Sequence, residues 1–162
     1  MPHAQSATER EASDNALDLQ HYFPYRLAVL AEEVSRTVAQ LYSDRFDLTR
    51  HEWRVLAALG INRRMAAKDI ADYSTLDKMS VSRAVAALET KAYLARAEDP
   101  ADRRNKILRL TPAGRALYQR IVPLARAREH HILETLTATE RTALHVIMKK
   151  LLARARSLRE RG

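Results

Sequence analysis

Cysteine is absent from the 162 residues, and glycine and proline number only three and five. Without thiols the chain has no disulfide, no thiolate metal site, no cysteine nucleophile and no thiol redox switch. Three glycines cannot build the phosphate-cradling or nucleophile-bearing turns of Walker-type, Gly-x-Gly-x-x-Gly or Gly-x-Ser-x-Gly motifs, and none of these occurs. The chain therefore reads as a non-enzyme without a cofactor. Long apolar runs are missing too, so no segment is expected to span a bilayer. Residues 1–15 carry Glu9, Glu11 and Asp14 and no apolar stretch, unlike a secretory leader, and the expected location is cytoplasmic.

What is abundant is Ala, Leu, Arg and Glu, a composition that favours helix. The length suits one domain at roughly 150 residues each. Lys and Arg total 28 against 20 Asp and Glu, a net charge of +8 that points to a polyanionic partner. The charge is −4 over residues 1–48, +5 over 49–111 and +7 over 112–162. Its largest excess lies in the C-terminal helices, where part of it is ordinary solvated surface, so charge alone does not locate a site.

Residues 1–16 are polar and aperiodic, the pattern of a tail. Leu27, Leu30, Val34, Val38 and Leu41 then recur at helical steps, predicting a long amphipathic helix over about 19–43. Thr49 and Glu52 form a capping-box signature for a second helix, expected to end at Gly60. Two short helices, 67–73 and 78–90, flank Ser74-Thr75-Leu76-Asp77, with Asp77 as N-cap of the second, the layout of a helix-turn-helix. Extended segments at 93–97 and 106–110 flank a loop with basic residues and predict a hairpin. Thr111-Pro112 restarts a helix that Pro123 is expected to bend. Thr137 and Glu140 cap a last helix striped with Leu144, Ile147, Met148, Leu151, Leu152 and Leu158.

The run Asp102-Arg103-Arg104-Asn105-Lys106-Ile107-Leu108-Arg109-Leu110-Thr111-Pro112-Ala113-Gly114 resembles the wing signature of the MarR family of winged helix-turn-helix transcriptional regulators. With Ser80-Val81-Ser82-Arg83 and Glu52-Trp53-Arg54-Val55-Leu56, the resemblance covers residues 17–158. It implies a mainly α fold with a small β-hairpin wing: a DNA-binding head over 49–111 and a helical dimerisation region over 17–45 and 112–158. It also implies an obligate homodimer that binds double-stranded DNA and is often released by a small molecule.

The residue chemistry agrees. A recognition helix needs small polar and basic side chains outward so that its tips reach base edges, and Ser80, Ser82 and Arg83 suit that task. Lys68 and Lys78, near the starts of their helices, suit phosphate contacts. By the resemblance, Arg104 enters the minor groove with Asp102 orienting it, and Arg103 and Lys106 add backbone contacts. Leu17, Leu19, Tyr22, Ile132, Leu136, Leu144, Met148 and Leu151 exceed what a small head can cover and are the candidate dimer surface. For an effector, His21, Tyr22, Tyr25 and Arg26 with His51, Trp53 and Arg54 would suit an aromatic carboxylate or an acyl-CoA thioester, although Trp53 serves equally well as a core anchor. His130 and Glu134 share a helix face, but two ligands are not a metal site. The competing reading is a helical protein-interaction adaptor on the same scaffold, without effector control. The operator reading is that of a repressor.

Overall fold

The computed structural model describes residues 17–98 and 106–161. The chain divides into two compact units, residues 1–37 and 38–162.

In the first unit the Asp18 carboxylate accepts the Gln20 amide at 2.9 Å and lies 2.7 Å from His21 Nδ1. That turn delays the first helix, α1 (Phe23–Phe46), four residues past the expected Leu19. Pro24 stands in its first turn, where a missing N–H costs nothing. Leu27 and Leu30 are exposed, so the apolar stripe of this segment is not buried within its own unit.

In the second unit α1 ends with Tyr42 and Leu48 driven into the core. Thr49 and Glu52 close the expected capping box, with Thr49 N donating to Glu52 Oε2 at 2.6 Å and Glu52 N to Thr49 Oγ1 at 3.2 Å. Helix α2 (Arg50–Asn62) does not stop at Gly60 but runs through it to Asn62, where Arg63, at φ 57°, ends it. Gly60 has a packing role instead. The Tyr118 ring lies where its Cβ would be, and its carbonyl accepts from Arg115 Nη1 at 2.6 Å.

Strand β1 (Met65–Ala66) leads into α3 (Ala67–Ser74) and α4 (Lys78–Thr90). Strands β2 (Leu94–Glu98) and β3 (Lys106–Leu110) form the expected hairpin ladder. The sheet order is β1-β3-β2, all antiparallel, with Met65 opposite Leu108 and Leu94 opposite Leu110. The sequence reading omitted β1, since two residues are too few to show a period of two. Val55, Leu56 and Leu59 of α2 meet Ile70, Val81, Val85 and Leu88 in one apolar cluster that also takes Leu94, Leu108, Leu117 and Ile121.

Helix α5 (Pro112–Leu133) opens with Thr111 as N-cap and Pro112 in its first turn, and continues through Pro123. Glu134, just past it, faces His131 Nδ1 at 3.3 Å. Helix α6 (Ala138–Arg161) carries the second capping box but no buried residue. Of the candidate dimer residues, Leu17, Leu19, Tyr22, Met148 and Leu151 are exposed, while Ile132, Leu136 and Leu144 are half-buried. Among the described residues no helix is long and apolar enough to cross a membrane.

Candidate nucleic-acid interface

Thr75, Leu76 and Asp77 connect α3 to α4. Thr75 takes a left-handed conformation, φ 55°, that ends α3. Asp77 then starts α4, its Oδ1 accepting the Ser80 amide at 2.8 Å and its Oδ2 the Ser80 hydroxyl at 2.6 Å. These bonds, the hydroxyl first and the amide second, hold the Asp77 carboxyl below its ordinary value, because they favour the charged form.

Helix α4 buries Val81, Ala84, Val85 and Leu88. This apolar stripe fixes the rotation of the helix and leaves Lys78, Ser82 and Arg83 in solvent. Ser80 differs from Ser82: it is half-buried and its hydroxyl proton is already given to Asp77. Lys68 is exposed in the first turn of α3. On the hairpin, Leu94 and Leu108 are buried and anchor the wing, while Lys106 is exposed at 3.8 Å from Glu98. Asp102, Arg103 and Arg104 lie outside the described residues.

Arg96 was not among the expected contacts. It projects from β2 and is held by Glu89 of α4 through a two-bond fork, Nε to Oε1 at 2.7 Å and Nη2 to Oε2 at 3.0 Å. The parity of the strand carried the signal. Arg96 stands two residues after buried Leu94, hence on the same face of the sheet as that core residue. Lys78, Ser82, Arg96 and Lys106 all border one hollow of about 110 Å³, with Ala67, Val85 and Leu108. Three cations and a hydroxyl around so small a space can attract an oxyanion, with the Arg96 charge partly met by Glu89.

The residues expected around an effector fall in both units. In the first, Tyr25 and Arg26 border an open hollow of about 360 Å³ together with Gln20, Val29, Leu30 and Glu33. His21 is engaged with Asp18, and Tyr22 is exposed. In the second, Trp53 is stacked with Tyr42 at 5.7 Å and with Tyr118 at 6.2 Å between ring centroids. That arrangement makes Trp53 part of the core packing, while His51 is exposed and Arg54 half-buried. Among the described residues no three His, Asp or Glu side chains gather in a way that could hold a metal.

Comparison with known proteins places this geometry. A profile of the MarR family matches residues 46–105, from the last residue of α1 to the residue before β3. The transcriptional activatory protein BadR of Rhodopseudomonas palustris is 27% identical over 154 residues, 90% of this chain and 87% of that protein. The HTH-type transcriptional repressor NicR of Pseudomonas putida is 27% identical over 105 residues, 65% of this chain and 66% of its own length. Among solved structures, BpsR of Bordetella bronchiseptica, whose DNA binding is regulated by 6-hydroxynicotinic acid, superposes with a TM-score of 0.76 at 26% identity. The match covers 85% of this chain and 97% of that one.

Proposed function

This chain belongs to the MarR family of winged-helix transcriptional regulators, and from that premise we propose that it works as a homodimeric repressor whose paired heads read a pseudo-palindromic operator. The observation that carries the reading is the cationic outer side of α4, with Lys78, Ser82 and Arg83 in solvent opposite a fully buried stripe and beside a basic hairpin. In this reading Ser82 and Arg83 meet base edges in the major groove. Lys68, Lys78 and Lys106 bind phosphates, and Ser80 acts through its place in the cap. Asp102, Arg103 and Arg104, between β2 and β3 in the sequence, are assigned to the minor groove. The apolar surface on α6 and on residues 17–30 is what a second copy would cover.

An aromatic acid is the effector class we propose, with Tyr25 and Arg26 as its first contacts: a flat ring and a guanidinium suit a planar carboxylate. BpsR, regulated by 6-hydroxynicotinic acid, supports that class. Since one relative is named an activator and another a repressor, the sign of regulation is tested separately, by a reporter transcribed from the bound promoter. Repression predicts more transcript when the protein is removed.

The binding test is salt dependence. A head that neutralises several phosphates loses affinity linearly in log[salt], with a slope of about −0.9 per phosphate. Binding to a labelled duplex that is absent, or indifferent to salt, would leave the adaptor reading in its place.

A further inference from the structure

We propose that Arg96 is a phosphate-binding residue of the head and that Glu89 is its positioning residue. The inference rests on the DNA-binding reading above and adds to it a contact outside the helix-turn-helix and the hairpin tip.

The guanidinium has five N–H donors in a rigid plane. Glu89 takes two of them, on Nε and Nη2. The edge that remains, Nη1 and the second hydrogen of Nη2, is therefore set in one orientation by a carboxylate on a different element. Arg96 borders the hollow that Lys78, Ser82 and Lys106 also border. Lys78 and Ser82 come from α4, and Arg96 and Lys106 from the two wing strands. The hollow is thus the seam between α4 and the wing, and with the helix in the major groove and the wing at the minor groove, the sugar–phosphate backbone that separates the two grooves would run along it. A phosphodiester there would receive donors from both elements at once. Glu98, 3.8 Å from Lys106, is a second carboxylate at this group, and both it and Lys106 are largely exposed, so their pairing is weak.

The Glu89–Arg96 fork by itself has a structural reading, since it joins α4 to β2. The two roles predict opposite signs for one substitution. Glu89→Gln deletes a negative charge near a polyanion, so a merely structural or merely electrostatic role predicts unchanged or tighter DNA binding. A positioning role predicts weaker binding, because an amide offers one acceptor oxygen and no charge to hold the fork.

The experiment uses the full chain and a labelled 30-base-pair duplex of arbitrary sequence, roughly three turns at about 10 base pairs each. Phosphate contacts carry no sequence information, so no operator is needed. Arg96→Ala is expected to weaken binding about tenfold, in line with the loss of a charge-assisted hydrogen bond. The same substitution should reduce the slope of log K against log[salt] by about 0.9 for each head engaged. Arg96→Lys should keep most of the slope while losing part of the affinity, and Glu89→Gln should weaken binding about threefold, the share of a charge-assisted bond that orientation supplies. Thermal unfolding, followed by Trp53 fluorescence, identifies variants that fail by losing the fold; for such a variant, Arg96→Lys carries the test.

A wild-type chain that does not bind the duplex would remove the function proposed above, and this inference with it. Wild-type binding with an unchanged slope in Arg96→Ala, or tighter binding by Glu89→Gln, overturns only the roles of these two residues. Titrating inorganic phosphate alone separates a DNA contact from a seat for a free anion. Heat abolished by Arg96→Ala, with duplex binding intact, would assign the hollow to the free anion and overturn the proposal.

Discussion

The Lys91 ammonium lies 3.0 Å from the carboxylate of Glu52, the one charged residue among the described residues that is fully buried. Lys91 is the C-cap of α4 and also donates to the Asp47 carbonyl, with the Asp47 carboxylate at 3.3 Å. One side chain thus ties the end of α4 to the start of α2 and to the loop before it. Replacing Lys91 with Met leaves Glu52 buried with only its capping bonds, and a cost of about 2 kcal/mol is expected, below the full penalty for a broken buried pair because Lys91 is partly exposed. Urea unfolding followed by Trp53 fluorescence measures it.

The same contact fixes an alkaline limit. Burial opposes the Lys91 charge, but the hydrogen bond and charge of Glu52, then those of Asp47, outweigh it and raise the group above its ordinary 10.5. A raised folded value means that the stabilisation is whole below pH 10.5 and is lost as pH climbs through the folded value. Lys91→Met should flatten that alkaline decline in the stability profile.

Asp77 behaves in the opposite sense. Its carboxyl is lowered from 3.8, so its contribution is intact above pH 3.8 and drains away as pH falls through the lowered value. Amide exchange in the first turn of α4 should accelerate at acid pH in the wild type. In Asp77→Asn, which keeps a capping acceptor but cannot titrate, exchange should show no such acid step.

Two glycines separate by what a methyl group would meet. At Gly114 it meets the backbone carbonyl of Tyr93, which cannot turn aside, and Gly114→Ala should cost at least about 3 kcal/mol. At Gly60 it meets the Tyr118 ring, a side chain that can shift. There, overpacking of about 1–3 kcal/mol is offset by about 1 kcal/mol of regained helix propensity, so a net loss near 1 kcal/mol is expected. Equal losses at the two sites, in one denaturation series, would contradict this contrast.

For DNA reading, Arg83→Ala should relax sequence preference as well as affinity, by about 1–3 kcal/mol at the base it reads. Equal losses on every sequence would relegate it to a backbone contact. Arg104→Ala should weaken operator binding severely with the dimer intact, and anisotropy combined with sedimentation separates those two effects.

An effector is sought by calorimetry with aromatic acids and their CoA esters. Arg26→Ala is expected to abolish the heat of whichever acid binds. Trp53→Ala is a poor probe, because it removes the middle ring of the Tyr42–Trp53–Tyr118 stack and with it part of the core. Binding that survives Arg26→Ala would remove the first-unit hollow from consideration.

What the amino-acid order settled alone was the capping that closes within one turn of chain at four helix starts. Thr49 with Glu52, Asp77 with Ser80, Thr111 with Gly114 and Thr137 with Glu140 are three residues apart, so the caps, and hence most helix starts, could be read before any folding. The helical class and the wing strands followed from periodicity in the same way. The first helix was misjudged because Asp18 forms a turn that competes with helix, and its pairing with His21 has no helical signature.

Folding in three dimensions decided the partnerships between distant residues. Gly60 looks like a helix stop until Arg115, 55 positions away, and Tyr118 show why no side chain fits there. Arg96 was one arginine among many until β2 placed it against Glu89. Trp53 suited a ligand wall or a core anchor equally until Tyr42 and Tyr118 stacked with it. Local hydrogen bonds depend on spacing that the chain always carries, whereas these contacts exist only after an apolar core has brought separate elements together, and no periodicity records them in advance.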